Sequence, residues 1–90
     1  MLLKVYSVYD STAEVYMNPF YFRSKGEVIR SITEVVNDGK SAFSKHADQF
    51  VLFELGSYED TTGKFSLHTS PFSMGVLLEF KKVSDVQVSV

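Results

Sequence analysis

Along residues 24–39, SKGEVIRSITEVVNDG, apolar side chains return at helical spacing. Val28, Ile29, Ile32, Val35 and Val36 fall at i, i+1, i+4, i+7 and i+8, drawing one stripe and leaving the opposite side polar. Ser24 and Glu27 fit a capping box, in which the hydroxyl accepts from the Glu27 amide and the carboxylate accepts from the Ser24 amide. Asn37-Asp38-Gly39 closes the stripe, with Gly39 free to turn left-handed. The pattern predicts a helix over 25–38, and its apolar side needs a surface to lie on.

Most of the remaining chain has the period of strands. Residues 2–9 (LLKVYSVY) are rich in β-branched and aromatic side chains, and Asp10-Ser11-Thr12 supplies turn chemistry after them. Residues 13–23 (AEVYMNPFYFR) form a second strand, an edge or a bent one because Pro19 cannot donate to a ladder. Ser41 caps a short helical turn over 42–45, with Phe43 as its core contact. Residues 50–58 (FVLFELGSY) set Val51, Phe53 and Leu55 on one face and Leu52 and Glu54 on the other. A loop over 59–63 leads into 64–69 (KFSLHT), with Phe65 and Leu67 expected inward and Lys64, Ser66 and His68 outward. Ser70-Pro71 suggests a helical turn over 71–75, followed by a buried run at 76–80.

The order ββ–α–ββ predicts an α+β domain over 1–80, with a four-stranded, mainly antiparallel sheet and the helix across one face. The other face would then show many aromatics. The tail, 81–90, alternates Val86, Val88 and Val90 with Gln87 and Ser89, as an added edge strand, a dimer contact or a disordered end would.

Composition narrows the function. With 90 residues, no cysteine and no Trp, the chain must build a small core from its eight Phe and five Tyr, without disulfides or thiolate metal sites. That fits the cytosol, and Met1-Leu2-Leu3-Lys4 lacks the charge order and apolar stretch of a signal peptide. No apolar run reaches the roughly 20 residues that span a bilayer. The net charge of −2 argues against a protein that neutralises many phosphates. Charge is nevertheless uneven: Arg23, Lys25, Arg30, Lys40 and Lys45 outnumber the acids of 23–46, whereas 47–63 contains acids and neither Lys nor Arg.

Catalysis finds little support. Asp10 and Glu14 flank a turn, where oxygen-bearing side chains ordinarily bond the backbone. His46 and His68 have no metal-ligand spacing, no serine has a GxSxG context, and the glycines make no phosphate cradle. The expectation is a protein that is not an enzyme, with no catalytic residues, cofactor or metal.

Binding is the better prospect. Tyr6, Tyr9, Tyr16, Phe20, Tyr21 and Phe22 gather on the first hairpin beside Lys4, Arg23 and Lys25. Exposed rings there would stack unpaired bases at about 1–3 kcal/mol each, while buried rings would fill a core or a dimer interface, the commoner role. In the first case Tyr6, Tyr16 and Tyr21 stack bases and Lys4, Arg23, Lys25 and Arg30 meet phosphates.

KVYSVYDS (4–11), RSKGEVIRSITEVVND (23–38), FSKHADQFVLFELGSYEDTTGKFSL (43–67) and SPFSMGVLLEF (70–80) together resemble the small nonstructural protein of gokushoviruses, single-stranded-DNA phages of the Microviridae. Ala47 departs from the family pattern, where proline is frequent at that place. The resemblance implies a phage nonstructural protein of the bacterial cytoplasm, described in the family as a DNA-binding or replication accessory, and it carries no catalytic motif. The leading expectation is a homodimeric accessory that binds single-stranded DNA weakly. The alternative is a module that binds a host or phage protein without touching nucleic acid.

Overall fold

The computed structural model describes residues 1–82, so the expectations for the valine-rich tail lie outside the described residues. The elements are β1 (Leu2–Asp10), β2 (Val15–Tyr16), β3 (Phe20–Phe22), α1 (Lys25–Val36), α2 (Ala42–Lys45), β4 (Phe50–Glu59) and β5 (Lys64–Val76). Short 3-10 turns cover Ala47–Gln49 and Leu77–Phe80. The fold is α+β: an antiparallel five-stranded sheet with one main helix. Its central pair is β1–β4, with β5 beyond β4, while β2 and β3 both pair with the free side of β1.

The predicted second strand is therefore two short ones, parted at Met17-Asn18-Pro19, which accounts for five strands rather than four. Before it, Asp10 Oδ1 accepts from the amides of Thr12 (2.9 Å) and Ala13 (3.2 Å), the expected turn chemistry.

Helix α1 starts where its cap dictates. Ser24 Oγ accepts from the Glu27 amide at 3.3 Å, but the Glu27 carboxylate reaches one residue further back than the capping box predicts, accepting from the Arg23 amide at 3.0 Å. The helix ends at Val36 with Asn37 as C-cap, and Gly39 takes the expected left-handed turn at φ +72°. Its stripe places Val28, Ile32 and Val36 on Tyr6, Val8, Phe50 and Leu52 of the sheet, joined by Ala47 and Leu77. Each fully buried aliphatic side chain there adds roughly 1.5–3 kcal/mol. Phe43 meets Phe50 edge-on at 4.9 Å, in its expected core contact.

Three expectations change. Residues 71–75 are strand, not a helical turn. Pro71 sits on the outer strand β5, where a missing N–H costs no ladder bond, within an interruption that pairs Gly56 with Leu67 and Glu54 with Phe72. Phe65 and Leu67 are 52% and 65% exposed: register puts them on the face away from α1, and the helix does not reach this end of β5. The 76–80 run is only partly buried, since its 3-10 turn hides Leu77 and leaves Leu78 exposed.

Gly56 permits the central closeness of β4 and β5. A Cβ on it would lie 2.3 Å from the Ser66 carbonyl oxygen and 2.7 Å from the Leu67 Cα.

The neighbours Leu77 and Leu78 separate burial from composition. Leu77→Ala should lower unfolding free energy by about 2–5 kcal/mol in urea titrations. Leu78→Ala, at an exposed position, should change it by less than about 0.5 kcal/mol.

Candidate functional site

Alternation along β1 sends Tyr6 and Val8 towards the helix and Leu3, Val5, Ser7 and Tyr9 to the other side. Cross-strand partners share a face, so the pairing register writes out the uncovered face row by row. Its rows are Leu3–Tyr58–Phe65, then Tyr21–Val5–Gly56–Leu67, then Ser7–Phe53–Ser73, then Tyr16–Tyr9–Val51–Val76. None of these positions carries a charge.

The rings on this face form two clusters. At one end Tyr9 lies 4.9 Å from Tyr16, and Phe53 lies 5.5 Å from Tyr16 between ring centroids. At the other, Tyr58 joins Tyr21 at 5.7 Å and Phe65 at 4.6 Å. Between them Val5 and Ser7 are sealed, and Ser7 Oγ donates to the Met17 carbonyl at 2.6 Å. Tyr16, Tyr21, Phe65 and Leu67 remain open to solvent. Contiguous exposed apolar surface of this kind marks an interaction site more often than a chance pattern.

The residues expected to hold DNA do not converge. Tyr6 is wholly buried, packed on Phe20 and Phe22 at 6.2 and 6.5 Å, and stacks no base. This corrects its assignment as a stacking residue: the core beneath α1 claims the ring. Tyr16 and Tyr21 are exposed but belong to opposite ring clusters. Lys4 pairs with Phe22 and Ser57, which puts it on the helix side of the sheet, away from those rings. Arg23 and Lys25 follow Tyr21 at the edge, and Arg23 forms an exposed ion pair with Glu27 at 3.6 Å. Arg30 faces a shallow cleft of about 340 Å³ shared with Arg23, Glu27 and Glu34, where the acids offset the bases. Tyr21, Arg23 and Lys25 are all exposed and follow one another across the junction of β3 and α1.

Phe53, Tyr58, Phe65 and Leu67 complete the open face, and sequence reasoning assigned them no functional part. Their alternation was visible, but it does not say which side the helix takes. A second opening, an apolar groove of about 450 Å³, lies where the edge strand is interrupted and includes Met17, Phe20, Ile32 and Phe43.

On the helix side, His68 Nε2 and Glu54 Oε2 meet at 2.7 Å. The Tyr6 hydroxyl has no hydrogen-bond partner among the described residues, and burial, then the charge of Glu54, pushes its pKa up to about 12.

A family profile described as Phage ORF5 protein matches residues 3–80. The chain belongs to that family. This is a phage protein, and the match runs from the start of β1 to the last 3-10 turn. No curated protein and no solved structure matches it. Among the described residues of the phage protein, no helix is long and apolar enough to cross a membrane.

The buried phenol gives a spectroscopic check. A folded-state pKa raised from 10.0 to about 12 means that folding resists ionisation of Tyr6. Its contribution to stability should be intact below pH 10 and lost as pH rises towards 12. Absorbance titration of phenolate should show Tyr6 titrating late or together with alkaline unfolding, a step missing in Tyr6→Phe.

Proposed function

We propose that this phage protein is a non-enzymatic binding module of the host cytoplasm that engages a polypeptide, of host or phage origin, through the aromatic face of its sheet. The observation that carries this reading is the charge-free array of cross-strand rows bearing exposed Tyr16, Tyr21, Phe65 and Leu67. Protein interfaces concentrate Tyr and Phe at their centres and deplete charge there. A nucleic-acid groove needs the reverse, cations beside the rings, because phosphate neutralisation supplies most of its affinity.

A second reading retains one observation in its favour. Tyr21 is 41% exposed and is followed along the same edge by exposed Arg23 and Lys25. Together with the resemblance to gokushovirus nonstructural proteins, this supports weak single-stranded-DNA binding by an accessory of genome replication. Its contacts would be Tyr21, Arg23 and Lys25, without Tyr6, and its affinity would fall steeply with salt.

Two measurements separate the readings. Tagged protein recovered from infected cells after nuclease treatment should retain a polypeptide, and Phe65→Glu should lose it. A labelled oligothymidylate should show no anisotropy change up to about 100 µM protein at low salt, the weak end of non-specific binding. Oligonucleotide binding that Arg23→Glu abolishes, with no polypeptide retained, would reverse the order of the two readings.

A further inference from the structure

We propose that the polypeptide covering the aromatic face is a second copy of this chain, in a two-fold, face-to-face dimer. The inference rests on reading that face as a polypeptide interface, and it adds the identity of the occupant.

The sheet offers other copies little at its edges. β5, the outer strand on one side, is broken by the interruption at 68–71 and by Pro71. On the other side the edge is only β2 and β3, parted at Met17-Asn18-Pro19. Short, interrupted, proline-bearing edges are how sheets resist strand addition. The helix already occupies the root of one face, whose far end carries Lys4, Glu59 and Lys64. The other face is apolar and uncharged in every row.

Two-fold symmetry explains why that face is neutral in every row. An isologous contact sets a patch against itself, so a charge near the axis meets its own copy. Like charges brought together and desolvated oppose association. An unrelated partner could answer a lysine with a glutamate, whereas a second copy cannot do so on the axis.

The rows span six residue steps along β1 and four strand widths, a footprint of roughly 20 by 20 Å. That is about half the ~800 Å² per partner of a standard interface. The dimer should therefore be reversible and concentration-dependent.

Sedimentation equilibrium of the full chain tests it. The apparent mass should rise with concentration from 10.2 kDa towards twice that value. Leu67→Glu, at a 65% exposed position, should hold the mass at one chain while leaving the circular dichroism and the dilute-solution melting curve unchanged. Phe65→Glu should behave in the same way, which guards against a variant that fails to fold. A wild type that stays at one chain throughout, or a folded Leu67→Glu that dimerises as well as wild type, overturns the inference. If the one-chain wild type still retains another polypeptide that Phe65→Glu loses, the second copy falls and the interface reading stands. If it retains nothing, both fall.

Discussion

Everything in this fold depends on one contact, the stripe of α1 lying on β1 and β4. Val28, Ile32 and Val36 meet Tyr6, Val8 and Leu52 there, and the 3-10 turn carrying Leu77 closes the same cluster. A domain of this size has room for one such core, and a chain without cysteine has no covalent staple to supplement it. Because the helix takes that side, Tyr6 becomes a structural residue. For the same reason, the rings of the alternate positions are left over for another purpose.

The helix was legible because every signal agreed: cap, stripe and terminating glycine all marked the same segment. The first turn was legible too, since Asp10 can satisfy the following amides by itself. Which way β5 faces was not. Phe65 and Leu67 plainly share a side, but strand alternation is symmetric, and only the landing place of α1 breaks that symmetry. Pro71 misled for a related reason. It opens helices as readily as it decorates outer strands, and the choice was made by pairing with β4 far away in sequence.

The candidate site shows the same division. Tyr16 and Tyr21 were recognisable from local sequence as strand aromatics. Their neighbours across the sheet, Phe53, Tyr58 and Phe65, come from segments more than thirty residues away and join them only through register. The cations expected beside Tyr21 divide between the start of the helix, for Arg23 and Lys25, and the opposite side of the sheet, for Lys4. Proximity along the chain thus overstated the basic character of the rings' surroundings.

The helix shelters only one end of the long β4–β5 hairpin. Tyr6, Val8, Phe50 and Leu52 lie beneath it, whereas Leu2, Lys4, Ser57 and Ser66 extend past it along a molecule 52 Å in its longest dimension. The sheltered end is held by the core beneath the helix, whereas the end near the hairpin tip is held by the Tyr21–Tyr58–Phe65 rings and by the Met1 ammonium on Glu59 at 2.6 Å. The sheet is thereby supported differently along its length, by an apolar core at the root and by surface rings and a terminal charge at the tip.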